Sequence, residues 1–326
     1  GVVNYGRISA KDKGLIALLS PEIRNEGVIK ARLGSVLLAA GTRITLKNLF
    51  SGVTVVIEES TVDALIENKS LVRSDDGNVF IGAGAATSLQ KAVINNSGRV
   101  SANRVTRRDG KILLESSAIT SSGILESTSQ TGVGGTIQLS GDKIHLATGA
   151  IVNADGELGG GRIDIGGGWR GESIGARPSA SAVLIDQDVE VTASAGSNGD
   201  GGSVVAWSDV NNLLSLTEVN GKLKARGGSV FGTGGQIETS GAQLKVDNAQ
   251  IDTRAPQGAT GNWLIDPTNI EIVAGSGDTP ANWQGSVIKA DTLAAALASN
   301  NVTVLTSNDG SELGNIVVSS ALAWTS

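Results

Sequence analysis

The chain has 326 residues, 45 glycines and a formal net charge of −6; 40% of its residues are hydrophobic, but only 3% are aromatic. This length suits one large domain or two ordinary ones, and a core so poor in aromatics favours a regular β architecture built from thin layers of Val, Ile, Leu and Ala. The absence of cysteine excludes disulfides and thiolate metal sites, the lack of a basic cluster argues against nucleic acid as a partner, and no apolar run approaches the ~20 residues that span a bilayer.

Two short motifs alternate through the first 114 residues. One follows Asn-x-Gly-x-Ile/Val-x-Ala, with copies NYGRISA from residue 4, NEGVIKA from 25, NSGRVSA from 96 and a weaker NKSLVRS from 68. The other follows Gly-x-Ile/Val-x-Leu/Ile, with copies GLIAL from residue 14, GSVLL from 34, GNVFI from 77 and GKILL from 110. The period of two predicts a short strand in each copy, and the leading Asn or Gly tolerates the positive φ of a tight corner.

A third motif, Gly-Gly-x-Ile/Val, takes over later in the chain, with copies that begin at Gly134, Gly160, Gly201 and Gly234. No single repeat can bury its own inward face, so the repeats predict stacked coils of parallel strands ~4.8 Å apart, which is a parallel β-helix. An antiparallel sandwich is the alternative, but it would show hairpins with two-residue turns. The alternation points some residues inward (Ile8, Ile29, Val36 and Leu38) and others outward (Arg7, Ser9, Lys30 and Lys111).

Four segments break the repeat and predict excursions from the coil. Residues 51–67 predict an extra strand with a helical turn over 61–67, and residues 87–94 predict a short helix with Thr87 as N-cap. Residues 170–182 predict a loop, and residues 288–298 predict a helix with Asp291 as N-cap.

The sequence divides into a β-helix stalk over residues 1–260 and a junction with further coils over residues 261–326, including a short helix near 290–298. The junction carries the string NWLIDPTNIEI. Its Asp266-Pro267 pair predicts a corner between two strands, because proline fixes φ and restricts the preceding residue. Trp263 is expected to fill a wider core layer or to cover a corner rather than to bind a ligand.

The order of these motifs, together with GKLKARGG from residue 221, GGQIETSG from 234 and WLIDPTNIEI from 263, resembles the exoproteins of bacterial two-partner secretion. These are the TpsA-type passengers of the filamentous haemagglutinin and high-molecular-weight adhesin family, and the resemblance covers essentially the whole chain. The family's N-terminal secretion domain, recognised by an Asn-Pro-Asn-Gly motif, is not found. The chain is therefore expected to be an internal fragment just downstream of it, and the absence of methionine points the same way.

The resemblance implies a right-handed parallel β-helix that a TpsB-type outer-membrane transporter exports to the bacterial cell surface. It implies an adhesive segment that acts in attachment, aggregation or biofilm formation, with a host-cell receptor or an exopolysaccharide as partner. A monomer is expected. Two alternatives use the same fold: a β-helix lyase or hydrolase that acts on polysaccharide, and the stalk of a contact-dependent toxin exoprotein.

An enzyme of this fold would need carboxylates that converge on one outer face, and no catalytic, cofactor or metal site is predicted. Asp75-Asp76, Asp186 and Asp188 are interpreted as turn or surface residues, and the single histidine, His145, as an outward, solvated side chain.

The loops GSNGDGG from residue 196 and GSGD from residue 275 are faintly similar to calcium loops, but they carry too few oxygen ligands. The best candidate for ligand binding is the pair Trp169 and Arg170, because Trp stacks on sugars and Arg binds anions. Glycosylation sequons occur at Asn68, Asn95 and Asn301.

Overall fold

The computed structural model describes residues 1–47, 54–59, 63–84, 91–105, 110–274, 285–306 and 314–324. Its helical elements are a 3-10 turn, Trp169–Gly171, and one helix, α1, Ala290–Ala296. Its strands, numbered in chain order, are β1 Val2–Asn4, β2 Arg7–Ala10, β3 Leu15–Leu19, β4 Glu22–Asn25, β5 Val28–Ala31, β6 Ser35–Ala40, β7 Arg43–Lys47, β8 Thr54–Glu59, β9 Asp63–Asn68, β10 Leu71–Arg73, β11 Asn78–Ala83, β12 Lys91–Asn96, β13 Arg99–Ser101, β14 Lys111–Ser121, β15 Ile124–Glu126, β16 Thr136–Leu146, β17 Ile151–Asn153, β18 Arg162–Ile165, β19 Ala182–Ile185, β20 Glu190–Thr192, β21 Ser203–Trp207, β22 Leu216–Val219, β23 Lys222–Lys224, β24 Gln236–Gly241, β25 Gln243–Lys245, β26 Gln250–Asp252, β27 Asn262–Pro267, β28 Ile270–Val273, β29 Ser286–Lys289, β30 Asn301–Val304 and β31 Ile316–Val318.

Successive coils stack their strands into three parallel faces. The first face holds β3, β6, β11, β14, β16, β18, β21, β24, β27 and β30; the second holds β1, β4, β9, β12, β14, β16, β19, β22 and β25. The third holds β2, β5, β10, β13, β15, β17, β20, β23 and β26. The strands β14 and β16 bend across the first two faces and join them into one 17-stranded sheet. The predicted parallel β-helix is confirmed.

The core consists of aliphatic columns that run along the axis of the coil. Strands pair in register, so the same inward position recurs in each coil, and on the first face the column reads Ile16, Val36, Val79, Ile112, Ile137, Ile163, Val204, Ile237 and Trp263. Each of these side chains is at most 7% exposed, and full burial of such a side chain is worth ~1.5–3 kcal/mol. The predicted inward and outward positions are confirmed, and the register excludes the sandwich.

Trp263 is the aromatic member of this first-face column. Its side chain is completely buried, between Ile237 of β24 and Val302 of β30. The indole Nε1 donates a hydrogen bond to Thr239 Oγ1 at 3.1 Å, which satisfies the only polar atom of the ring. Trp263 fills the core, as the sequence predicts, whereas Asp266 and Pro267 belong to β27 instead of forming a corner.

The asparagines of the first motif form a buried ladder between coils. Asn4, Asn25, Asn68 and Asn96 each donate through Nδ2 to the next member, at 2.8 Å within the series and 3.1 Å to Ser121 at its end. The glycine two residues further on is needed for contact between coils, because a Cβ on Gly27 would lie 2.1 Å from Gly6 O. The repeated Asn-x-Gly spacing therefore reflects the geometry of the corner between two strands of a coil.

Two predicted helical segments are strands instead. β9 covers most of the predicted turn at 61–67, and β12 covers the second half of the predicted helix at 87–94; Thr87 and residues 85–90 lie outside the described residues. Ile66 and Ile94 fall in the inward column of the second face, so tertiary pairing overrides the local helix propensity of the Ala and Leu residues. The extra strand near 51–67 exists as β8, which pairs with β7 in an antiparallel hairpin.

The helix expected near 290–298 coincides with α1, but its N-terminus differs from the prediction. Lys289 is the N-cap and Asp291 lies in the first turn. The capping acceptor comes from elsewhere in the coil: Asp247 Oδ1 accepts hydrogen bonds from Lys289 N at 3.0 Å and Thr292 Oγ1 at 2.9 Å. In the part of the chain that the structure describes, no helix has the length and apolarity needed to cross a membrane.

Candidate functional site

A loop of residues 166–181, here called the strap, leaves the coil after β18 and returns at β19. Its neck is closed by Gly166 N, which donates to Leu139 O at 2.9 Å, and by Ala180 N, which donates to Gly166 O at 2.9 Å. Gly166 has φ +83°, a left-handed conformation that favours glycine. The strap contains most of the loop predicted at 170–182 and begins four residues earlier.

The strap lies along the outer side of the first face and contacts several coils. At one end Arg170 N donates to Glu238 Oε2 of β24 at 2.8 Å. Further along, Ala176 N donates to Glu115 Oε2 of β14 at 2.8 Å. Beyond it the Arg177 guanidinium reaches Ala83 O of β11 at 3.4 Å. A single excursion thus spans six first-face strands, from β11 to β24.

Trp169 and Arg170, the predicted ligand-binding pair, occupy the end of the strap over β21. Trp169 is half-buried and packs against an outer apolar cluster of Val205, Trp207 and Val210. The strap lies flat on Trp207, because a Cβ on Gly167 would lie 2.5 Å from its ring. Arg170 has φ +51° and an exposed side chain. The tryptophan therefore anchors the strap, and the guanidinium is the part of the pair that faces solvent.

Three carboxyl groups lie beneath or beside the strap on the outer side of the first face. Asp164 and Glu238 have no exposed surface, and Asp266 is 2% exposed. Arg162 Nε contacts both oxygens of Asp164, at 2.9 and 2.7 Å, and its Nη2 donates to Glu172 Oε2 of the strap at 2.8 Å. Glu238 thus holds the strap directly through Arg170 N, and Asp164 holds it through Arg162, which bonds Glu172 of the strap.

Burial dominates the electrostatics of these carboxyl groups. Loss of solvent raises the pKa of Glu238 to about 7, against the opposing hydrogen bonds from Arg170 N and Ser240 Oγ, and Asp266 adds to the rise. Burial likewise raises the pKa of Asp164, although bonds from Gln138 and Arg162 oppose it. Glu238 is therefore a group that can change charge near neutral pH.

The sequence analysis did not find this acidic cluster. The signal was present: the alternation Gln236-Ile237-Glu238-Thr239 places Glu238 on the outer side with Gln236, and Arg162-Ile163-Asp164 places Asp164 on the same side two strands away. Asp164 and Glu238 each pair in register with Val205 of the strand between them. Their proximity could be derived only after the coil boundaries were fixed.

His145 lies on the outer side of the second face, as predicted, but it is not simply solvated. Its Nε2 lies 3.0 Å from Asp186 Oδ1, and both side chains are a little under 40% exposed. Asp76 and Asp188 have φ values of +52° and +64°, in agreement with turn positions. No group of three or more His, Asp or Glu side chains able to hold a metal ion occurs among the described residues.

The first of the two glycine loops that are similar to calcium loops connects neighbouring coils. In residues 196–202, Asp200 Oδ1 accepts hydrogen bonds from Thr233 N at 2.7 Å and Thr233 Oγ1 at 2.9 Å, so its carboxylate links neighbouring coils. The loop at 275–278 lies outside the described residues.

The three sequons differ in accessibility. The Asn68 side chain is 1% exposed and its Nδ2 belongs to the asparagine ladder, so the folded chain does not offer it for glycosylation. Asn95 faces outward on β12 and is half-buried, and Asn301 is exposed, with Nδ2 donating to Thr260 O at 2.7 Å. Glycosylation at Asn95 and Asn301 stays a prediction.

Comparison with known proteins supports the relationship that the motifs indicate. The secretion domain of HMW1 from Haemophilus influenzae has a TM-score of 0.66 with 27% identity, covering 81% of this chain and 65% of that structure. The heme/hemopexin-binding protein of Haemophilus influenzae is 25% identical over 114 residues, which are 35% of this chain and 12% of that protein. No family model matches.

Both relatives support a TpsA-type exoprotein of two-partner secretion. This chain spans about two thirds of the solved domain and about an eighth of the curated relative. Since the solved relative is itself a secretion domain, the match does not support the position downstream of one that the missing Asn-Pro-Asn-Gly motif predicts.

Proposed function

We propose that this chain is an adhesive segment of a large exoprotein, which a TpsB-type outer-membrane transporter exports to the cell surface. Its role is attachment, aggregation or biofilm formation, with a host-cell receptor or an exopolysaccharide as partner. The observation that carries the proposal is the continuous parallel coil, from β1 to β30, together with its likeness to a secretion domain.

The physics of the coil suits export through a narrow transporter. Each new coil pairs with the one before it and buries its inward columns there, so folding can proceed coil by coil as the chain emerges. The chain has no cysteine, so no disulfide has to form outside the cell. This stepwise burial needs no partner other than the preceding coil.

An enzymatic role is not part of the proposal. A polysaccharide lyase or hydrolase needs carboxyl groups that reach substrate. Here Asp164 and Glu238 have no exposed surface and are occupied by Arg162 and by the strap. The contact-dependent toxin stalk uses the same fold, and no feature of this segment favours it over adhesion.

The name of the curated relative raises heme as a second ligand, and the residues of this chain do not favour it. Cysteine and methionine are absent, and the histidine, His145, is bonded to Asp186. The single tyrosine, Tyr5, is 75% exposed near the start of the coil. An axial ligand for heme iron comes from one of these residue types.

Two experiments test the proposal. Deletion of the transporter gene is expected to leave the exoprotein inside the cell envelope, and its undiminished appearance in the medium would contradict export by that route. Purified chain added to a culture is expected to compete with cell attachment, whereas the heat-unfolded chain does not. Equal attachment with and without folded chain would refute the adhesive role.

A further inference from the structure

An open groove of about 730 Å³ runs along the coil axis at the start of the first-face strands. Its outer wall is a column of polar side chains in register, one per coil: Thr136, Arg162, Ser203, Gln236, Asn262 and Asn301. Neighbouring members are one strand spacing apart, ~4.8 Å. This step is close to the advance of one pyranose residue in an extended glycan.

Three members of the polar column have free hydrogen-bonding groups. Within the described residues, the side chains of Thr136, Ser203 and Gln236 make no hydrogen bond to protein; Gln236 is exposed and the other two are half-buried. Ser203 and Gln236 lie on adjacent strands, so their free hydroxyl and amide groups can bind the hydroxyls of neighbouring sugars, while Thr136 lies two strands from Ser203, beyond the bonded Arg162. The glycines at the floor of the groove are explained by packing between coils and not by ligand binding, because a Cβ on Gly161 would lie 2.1 Å from Gly135 O of the preceding coil.

One apolar side chain, Val133, lines the groove, and Leu158 and Phe231 occupy the corresponding loops of other coils; we call these three residues the apolar ridge. All three lie on loops that lead into the Gly-Gly pairs, and their side chains are 44%, 49% and 70% exposed. These loops are bonded to one another along the axis: Leu158 N donates to Gly132 O at 3.0 Å, and Phe231 O accepts from Gly199 N at 2.8 Å. Apolar groups beside polar ones match a sugar, which has one C–H face and a rim of hydroxyls.

The charge of the groove and the backbone pairing of its strands distinguish between possible ligands. The charged side chains that line the groove are Arg162, already bonded to Asp164 and Glu172, and Asp200, bonded to Thr233. An acidic glycan therefore finds no free cation there. A peptide strand finds no free edge either, because β18, β21 and β24 are paired on both sides.

We propose that this groove binds an extended neutral polysaccharide, with the polar column contacting successive sugar residues and the ridge packing on their C–H faces. The inference deepens the proposed adhesive function and takes its biological meaning from it. The binding itself belongs to the folded chain and is measurable without any cell.

The test uses isothermal titration of the whole chain with cellohexaose as the neutral probe and hexagalacturonate as the acidic probe. We expect cellohexaose to bind and the double variant Ser203→Ala/Gln236→Ala to bind at least about fivefold more weakly, the loss of one to two hydrogen bonds. The matched control is Gln250→Ala, which removes an exposed glutamine of the third face and is expected to bind within about twofold of the parent. Circular dichroism confirms that all variants are folded.

Any of three results overturns the proposal: no binding of cellohexaose, equal binding by the parent and the double variant, or tighter binding of hexagalacturonate. Failure here is distinguishable from failure of the adhesive function. If folded chain competes with cell attachment but does not bind cellohexaose, the adhesive function stands and the groove proposal falls. If the chain binds cellohexaose but does not compete with cell attachment, the groove proposal stands and the adhesive function falls.

Discussion

The buried carboxyl of Glu238 is expected to make the stability of the docked strap depend on pH. The variant Glu238→Gln tests this effect, because it removes the titrating group. In the folded chain its pKa is about 7, against 4.5 for the ordinary group. A raised pKa means that folding favours the protonated form, so its contribution is fully present below about pH 4.5 and is lost as pH rises towards 7. The difference between the two pKa values corresponds to about 3 kcal/mol as an upper limit.

Hydrogen exchange of the strap measures this effect locally. After correction for the intrinsic pH dependence of exchange, the free energy of strap opening is expected to fall by up to about 3 kcal/mol between pH 5 and pH 8. The Glu238→Gln variant keeps an oxygen acceptor for Arg170 N and loses this titration, so its opening free energy is expected to change much less with pH than that of the parent. Glu190→Gln on the third face is the control, since Glu190 lies on β20, far from the strap. The same pH dependence in the parent and in Glu238→Gln would refute the reasoning.

Three further predictions concern the coil, each measured as the change in the free energy of unfolding by urea. Trp263→Ala removes a fully buried ring and is expected to cost ~3–5 kcal/mol; a loss below 1 kcal/mol would contradict its place in the core. Gly34→Ala puts a Cβ 2.0 Å from a backbone oxygen of the preceding coil, whereas Gly6→Ala meets nothing within 4 Å, so the first is expected to destabilise strongly and the second hardly at all; similar effects would count against the stacking. Asn68→Ala breaks the buried asparagine ladder and is expected to cost about 2–4 kcal/mol, against less than 1 kcal/mol for Asn95→Ala on the outer side. Equal losses would contradict a stabilising role of the ladder.

The sequence predicts the fold well because one rule is repeated in every coil. The period of two fixes which side chains point inward, and the Asn and Gly positions fix the corners, so columns such as Val36, Val79 and Ile112 follow from spacing alone. The helical predictions at 61–67 and 87–94 are wrong where β9 and β12 lie, because Ala and Leu residues there have helical propensity and only pairing with neighbouring coils makes these segments strands.

The strap could not be derived from the sequence in the same way. Its contacts join residues far apart in the chain, such as Arg170 with Glu238 and Arg177 with Ala83. They depend on how the loop folds back along the axis, which no local pattern encodes. The sequence predicts ligand binding at Trp169 because tryptophan stacks on sugars, but its packing against Trp207 and Val210 follows only from the register of the coils.

Distances between spin labels on the outer side of the first face test the stacked coil most directly. The chain has no cysteine, so labels can be placed in pairs on cysteines introduced at Lys111 and at Gln236, Asn262 or Asn301, which lie four, five and six strands away along the face. At ~4.8 Å per strand the separations are expected to be about 19, 24 and 29 Å. Separations that do not increase by about one strand spacing per coil would contradict the parallel β-helix, and with it the account of an exported adhesive rod.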